Sequence, residues 1–179
     1  MKAVMLSLRP QWCEKIFNGS KTIEVRKSRP SLDMPFKVYV YMTKRKWIFK
    51  LLPFLKNRFA KVIGEFVCND IDEIRPCIEY YTDDYDIDDD SLSGICMTRE
   101  QLREYGKGNS LYGWHISDLK IYDKPKELGE FRKPCDFAYD CCVCQRAVYK
   151  QLAAGEMIFN GCNDKITRPP QSWCYVEEL

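Results

Sequence analysis

The sequence contains only one histidine, His115, among its 179 residues. We therefore expect neither a two-histidine ribonuclease site nor a Ser-His-Asp triad, and the predicted position of His115 within a strand favours a structural role. No apolar run approaches the roughly 18 residues that a membrane-spanning helix needs. The first residues also lack the basic, long apolar and small-residue segments of a signal peptide. These absences predict a cytoplasmic protein that does not enter a membrane.

Ten cysteines need an explanation in such a protein. A cytoplasmic chain keeps its thiols reduced, so disulfides are not expected. Cys141 and Cys144 have the C-x-x-C spacing that lets two thiolates hold one ion, and Cys135 and Cys162 could complete a tetrahedral zinc site. The chain has no second C-x-x-C pair, which a regular zinc ribbon would show. A structural zinc ion and free reduced thiols therefore both stay open, and no other cofactor is indicated.

The net charge of +2 conceals a strong separation of charge along the chain. Residues 1–63 carry 15 Lys and Arg against 3 Asp and Glu, whereas residues 64–104 carry 3 against 13. The separation predicts a basic face for a polyanion and an acidic surface elsewhere. The alternative is that the two blocks neutralise each other in the folded protein.

The first 27 residues predict a strand, a short helix and a second strand. Ala3–Leu8 is an apolar run that is typical of a buried strand. Pro10 is predicted to occupy the first helical position, and Asn18 with Gly19 predicts a left-handed helix end near residue 18. The segment 22–26 then alternates with period two, so that Lys21, Glu24 and Arg26 form a dense polar cluster beside core-forming sequence.

This segment resembles the ASCH domains of the PUA-like superfamily. Gly19-x-Lys21-x-x-Glu24-x-Arg26 matches their G-x-K-x-x-E-x-R signature, and the preceding segment 6–12 is similar to their strand-to-helix entry. The resemblance implies an α+β fold, a PUA-like mixed β-barrel with peripheral short helices. It also implies a cleft beside the first helix that binds RNA, a nucleotide or a modified nucleoside.

We expect the walls of this cleft to come from both ends of the chain. Lys21 and Arg26 would meet phosphate, and Glu24 would accept hydrogen bonds from a base or ribose. Trp12 is equally compatible with stacking and with packing in the core. The full predicted ligand-binding set is Ser7, Arg9, Trp12, Lys21, Glu24, Arg26, Trp114 and Arg168.

An enzyme is the alternative prediction. Small ASCH-type proteins hydrolyse acetylated cytidine with a lysine and a threonine of the motif segment and a glutamate of a later helix, and other ASCH proteins are ribonucleases. Lys21 matches the lysine and would act as a base. Glu24 stands where the threonine is expected, although Thr22 is nearby. Glu24 or Glu104 would assist Lys21 in catalysis, with Glu100 as the alternative to Glu104 for the later carboxylate. A third interpretation makes Lys21, Glu24 and Arg26 a structural salt-bridge cluster.

Further strands and one helix follow from periodicity and capping. Thr98-Arg99-Glu100-Gln101 is a capping-box sequence that predicts a helix over residues 99–105. In the long strand Leu111–Tyr122, Trp114 and Ile116 fall on one face by alternation, whereas Leu119 and Ile121 fall on the other. A bulge near Ser117 and Asp118 would bring both pairs to the same face. Residues 69–76 are expected to leave the barrel, and residues 124–134 read as a linker. The predicted strands are Phe36–Met42, Lys61–Cys68, Leu111–Tyr122 and Trp173–Val176, the last beside the first strand of the chain.

We predict a single domain over residues 1–179 that carries three added segments. A basic-aromatic insertion at 43–60 could contact RNA, pack on the barrel or bind a protein partner as an adaptor. The acidic run at 83–90 lacks the glycine and glutamate of an EF-hand, so a solvated loop is expected. The third segment is a cysteine-rich excursion at 135–162.

Overall fold

A six-stranded mixed sheet and three short helices make up the part of the chain that the computed structural model describes, which is residues 1–44, 57–77, 84–134 and 165–179. The order of the strands in the sheet is β2-β5-β4-β3-β1-β6. The elements are β1 (Lys2–Leu8), α1 (Pro10–Phe17), β2 (Ile23–Arg26), β3 (Phe36–Met42), β4 (Lys61–Ile74), α2 (Asp89–Ile95), α3 (Arg99–Gly106), β5 (Leu111–Lys126), a 3-10 turn (Leu128–Glu130) and β6 (Trp173–Glu177).

The predicted α+β class is confirmed, whereas the predicted barrel is not. β1 pairs in parallel with β3, and the other neighbouring strands are antiparallel. β6 lies beside β1, as the sequence predicts. Among the described residues β2 and β6 are the two edges of the sheet and do not pair with each other, so the sheet stays open.

The strand β1 is buried on both of its faces, which explains its unbroken apolar sequence. One face packs in a main core cluster with α1, β3 and β4, and the other packs in a second cluster with Tyr39, Phe131 and Val176. β1 therefore crosses the centre of the fold. Its last residues, Ser7 and Leu8, lie next to the start of α1.

Helix α1 begins and ends as the sequence predicts. Pro10 occupies the first turn, where its missing N–H costs nothing. Asn18 caps the C-terminus, and Gly19 follows with a φ of +77°, in the left-handed region that favours glycine. This turn carries the chain directly from α1 to Lys21.

The strands β4 and β5 are longer than predicted. Residues 69–74 stay in the sheet, so the prediction that they leave it is wrong. The physical reason is a bulge between Cys68 and Ile71, which reverses the inward and outward alternation and hides the strand pattern. Likewise residues 124–126 belong to β5 and not to a linker.

The bulge predicted near Ser117 and Asp118 is confirmed. The β4–β5 register shifts between Glu65 and Val67, and the opposing segment of β5 contains Asp118 with a φ of +47°. The extra residue brings Leu119 to the core face that Trp114 and Ile116 occupy, whereas Ile121 is exposed.

Helices α2 and α3 cover the outer face of β2. Asp88 caps α2 by accepting a hydrogen bond from the Ser91 N–H. The acidic run is expected to be a solvated loop, but its last two residues, Asp89 and Asp90, begin α2. Thr98 and Gln101 form the predicted capping box of α3. A third hydrophobic cluster joins β2 to both helices through Ile23, Val25, Ile74, Tyr85, Ile95, Leu102 and Leu111.

Two of the predicted added segments lie largely or wholly outside the described residues. Residues 45–56 of the basic-aromatic insertion and the cysteine-rich excursion with Cys135, Cys141, Cys144 and Cys162 are in this position, so those expectations stay predictions. Among the helices that the structure describes, none is long and apolar enough to cross a membrane.

Candidate functional site

The polar cluster of the motif is assembled by the alternation of β2. Ile23 and Val25 share one face of β2, as the alternation predicts, and pack in the third hydrophobic cluster with α2 and α3. Glu24 and Arg26 therefore point to the opposite face of the strand, toward the end of β1. Both are almost completely buried, with exposed fractions of 5% and 8%.

Lys21 is buried more deeply than either, with 2% of its surface exposed. Its Nζ donates a hydrogen bond to the Ile95 carbonyl at the end of α2 over 2.6 Å and lies 3.4 Å from Glu24 Oε2. The ammonium also lies 5.2 Å from the centre of the Trp12 ring. Burial lowers the pKa of Lys21, and the neighbouring Glu24 carboxylate opposes that shift.

Arg26 ties three parts of the chain together. Its Nη2 lies 3.0 Å from Glu24 Oε1 and donates to the Ser7 carbonyl over 2.9 Å. Its Nη1 donates to Ser172 Oγ over 3.4 Å, just before β6. Glu24 is thus held between two cations, as the salt-bridge interpretation requires, and Arg26 links the β2 edge to β1 and β6 by a side chain.

A cavity of about 630 Å³, called here the motif pocket, opens beside this cluster. Two buried atoms at its wall, Ser7 Oγ and Arg26 Nε, have no hydrogen-bond partner among the described residues. The lining residues are Ser7, Leu8, Arg9, Trp12, Lys21, Glu24, Val25, Arg26, Lys27, Ser28, Thr43, Met97, Tyr105, Gln171 and Ser172.

A second groove, of about 850 Å³, is larger but more open. It is lined by Lys15, Asp89, Leu92, Ser93, Cys96, Met97, Thr98, Arg99, Glu100 and Gln101. None of these belongs to the set of buried ionisable side chains in the described part of the chain. We therefore place the candidate site in the motif pocket.

Tyr105 is a wall of the motif pocket that the sequence reasoning missed. It reaches the pocket from α3, and Lys27 Nζ lies 5.1 Å from the centre of its ring. Burial raises the pKa of its hydroxyl. The available signal was helical spacing, since Tyr105 follows the buried Leu102 by three residues and so shares its face. Thr43, Met97, Gln171 and Ser172 were also missed.

Comparison with known proteins identifies the fold. No protein-family model and no curated protein sequence matches the chain. Three crystal structures of ZmASCH from Zymomonas mobilis are similar to it. A Tyr-to-Phe mutant has a TM-score of 0.55 at 16% identity, covering 99% of this chain and 92% of that one. A Ser-to-Ala mutant gives 0.54 at 17%, covering 98% and 89%, and the structure titled simply ASCH gives 0.51 at 17%, covering 98% and 88%. The chain has the ASCH-domain fold.

On this ASCH fold, six of the predicted ligand-binding residues lie together. They come from β1, α1 and the motif segment, and all of them line the motif pocket: Ser7, Arg9, Trp12, Lys21, Glu24 and Arg26. Trp12 is partly buried against the main core cluster and also lines the pocket, and its stacking on a ligand stays a prediction.

The other predicted residues lie elsewhere in the ASCH fold. Trp114 is completely buried between Phe36 and Trp173 and does not line the pocket, so it does not join the other predicted ligand-binding residues there. The bulges of β4 and β5 obscured which face of β5 meets the core. Glu104 and Arg168 are exposed and outside the pocket lining.

Proposed function

We propose that this ASCH-fold protein binds RNA or a nucleotide-like ligand in the motif pocket. The observation that carries the proposal is the charge of the lining: among the described residues, Arg9, Lys21, Arg26 and Lys27 line the pocket with the single carboxylate Glu24. Such a pocket attracts an anion. Trp12 and Tyr105 add aromatic surface to the same wall.

The pocket chemistry is that of a nucleotide site. Its volume of about 630 Å³ lies within the range of small-molecule sites, which is about 300–1,000 Å³. Arg9 and Lys27 are exposed at the rim and suited to phosphate, whereas the aromatic side chains are suited to stacking with a base. The ASCH-domain fold supports an RNA-binding or hydrolase-type module in general terms.

Binding of labelled single-stranded RNA, followed by fluorescence anisotropy across a salt series, tests the proposal. An Arg9→Ala/Lys27→Ala variant removes two rim cations without touching the buried cluster. We expect affinity to fall at least tenfold and the salt dependence to decrease by roughly 0.7 per lost phosphate contact. The matched control, Lys120→Ala/Lys124→Ala, removes two exposed cations that do not line the pocket.

Equal losses of affinity in the two double variants would show that RNA binding depends only on the net charge of the protein and would contradict a site in the motif pocket. No binding at low salt would reject RNA as the ligand. A free nucleotide would then be titrated as the smaller probe of the same pocket.

A hydrolase that acts on a modified nucleoside is the second candidate, and the lowered pKa of Lys21 favours it. A buried lysine that gives up its proton more readily is suited to act as a base. Against it, Nζ already donates to Ile95, and Thr22 is exposed and outside the pocket lining. Release of acetate from acetylated cytidine by wild type, abolished in a folded Lys21→Met variant, would support this candidate.

A further inference from the structure

Three potential metal ligands lie together on the surface of the sheet where β4 pairs with β5, outside the motif pocket. They are Asp70, Asp72 and His115, and one ligand atom from each lies within 4.8 Å of the others. His115 Nε2 is 2.6 Å from Asp72 Oδ2. We propose that these three side chains bind a divalent transition-metal ion.

The β4 bulge is what brings the two carboxylates to the surface. Phe66 and Cys68 pack in the main core cluster, and in a regular strand Asp70 and Asp72 would continue on that same inward face. Because of the extra residue between Cys68 and Ile71, Ile71 packs against the core instead. Both aspartates are consequently exposed.

His115 joins them from the neighbouring strand. Trp114 points into the core, so the next residue of β5 points outward. The side chains of His115 and Asp72 are 35% and 52% exposed, which leaves them room to rotate around an ion. The Ile71 N–H donates a hydrogen bond to Asp70 Oδ1 over 2.8 Å, which orients the Asp70 carboxylate. The other carboxylate oxygen, Asp70 Oδ2, is then available as a metal ligand.

The spacing and donor types suit a first-row metal. Bonds of about 2.0–2.2 Å to imidazole and carboxylate place adjacent octahedral ligands about 3 Å apart and opposite ligands about 4.3 Å apart. The separation of 2.6 Å between His115 Nε2 and Asp72 Oδ2, and the limit of 4.8 Å that encloses all three donors, are close to these distances. Two oxygens and one imidazole nitrogen suit Mn²⁺, Fe²⁺, Co²⁺ or Zn²⁺.

The surrounding charge independently favours a cation. In the part of the chain that the structure describes, no lysine or arginine forms an ion pair with Asp70 or Asp72, whereas the neighbouring Glu73 pairs with Arg75 at 2.9 Å. Asp72 also lines a cavity of about 260 Å³ with Glu73, Asp86 and Asp88, and none of the described residues that line it is a lysine or an arginine. Carboxylates without compensating cations attract a metal ion.

Titration of the whole chain, with any affinity tag removed, with Mn²⁺ tests the proposal. Mn²⁺ prefers oxygen and nitrogen ligands, so the cysteine thiols compete weakly. We expect one saturable site in wild type, and at least tenfold weaker binding in His115→Gln and in Asp72→Asn. Glu73→Gln is the matched control, since it removes a charge of the same cavity but none of the three donors, and it should change affinity less than threefold.

Electron paramagnetic resonance supplies a second measurement that does not depend on the stability of a variant. His115 is the only histidine of the chain, so nitrogen coupling from an imidazole bound to Mn²⁺ can arise from this residue alone. Absence of that coupling, absence of a saturable site in wild type, or an equal loss in Glu73→Gln would each overturn the proposal.

Discussion

Replacement of Glu24 by glutamine is expected to destabilise the fold severely. The amide keeps the shape of the side chain but removes the negative charge that lies 3.4 Å from Lys21 Nζ and 3.0 Å from Arg26 Nη2. Two buried cations then face each other without a counter-ion. Breaking a buried ion pair in this way typically costs about 3–5 kcal/mol, and we expect a loss of that size near neutral pH.

The loss should also depend on pH, because Lys21 can respond by losing its proton. Burial already lowers its pKa from an ordinary value near 10.5, and Glu24 is the main influence that raises it again. Without Glu24 the folded-state pKa falls further. Between that value and the unfolded value the unfolded chain binds more protons, so the free energy of unfolding rises with pH.

Urea unfolding from pH 6.5 to 9.5, followed by tryptophan fluorescence under reducing conditions, measures both effects. The deficit of Glu24→Gln should shrink as pH rises through this window, with a limiting slope of about 1.4 kcal/mol per pH unit. Glu104→Gln, on an exposed face of α3, is the control and should follow wild type. A deficit below about 1 kcal/mol, or one that stays constant with pH, would refute the buried ion cluster.

Three further predictions concern stability and reactivity. Gly106→Ala should cost about 1–3 kcal/mol in urea unfolding, because the new methyl would clash with the buried Tyr85 hydroxyl, whereas the methyl of Gly129→Ala meets nothing within 4 Å and should be neutral. Thr98→Ala should cost about 1 kcal/mol through loss of the capping box of α3, and an unchanged urea midpoint would contradict this. The Cys13 thiol, whose pKa is raised by complete burial, should resist iodoacetamide in the native protein and react in urea; labelling of native Cys13, detected by mass spectrometry, would contradict its burial.

The parts of the fold that the sequence predicts are those determined by neighbouring residues. The helix α1 follows from Pro10 and Gly19, and α3 follows from its capping box. The division of β2 into a core face and a polar face follows from simple alternation, and it places Lys21, Glu24 and Arg26 correctly at the pocket.

The parts that could not be predicted depend on long-range pairing. The bulge after Cys68 makes residues 69–74 look like a polar loop, and only pairing with β5 reveals them as a strand. The sequence is compatible with Trp114 as a side chain that stacks on a base. Phe36 and Trp173, which bury it, are far away along the chain. Tyr105 and Glu104 are adjacent in the sequence, and the packing of α3 decides which one reaches the pocket.

The connection that Arg26 makes between β2 and the end of β1 has a consequence for how such a protein can change during evolution. Backbone hydrogen bonds fix the register of the paired strands. Beside the motif pocket, the link from β2 to the end of β1 and the start of β6 is made instead by hydrogen bonds from the Arg26 guanidinium to the Ser7 carbonyl and to Ser172 Oγ. A substitution at Ser172, which lines the pocket but is not one of the buried charged side chains, alters the chemistry of the pocket without removing a buried charge or shifting any strand by a residue. New ligand preferences can therefore arise there while the sheet, and with it most of the folding energy, is inherited unchanged.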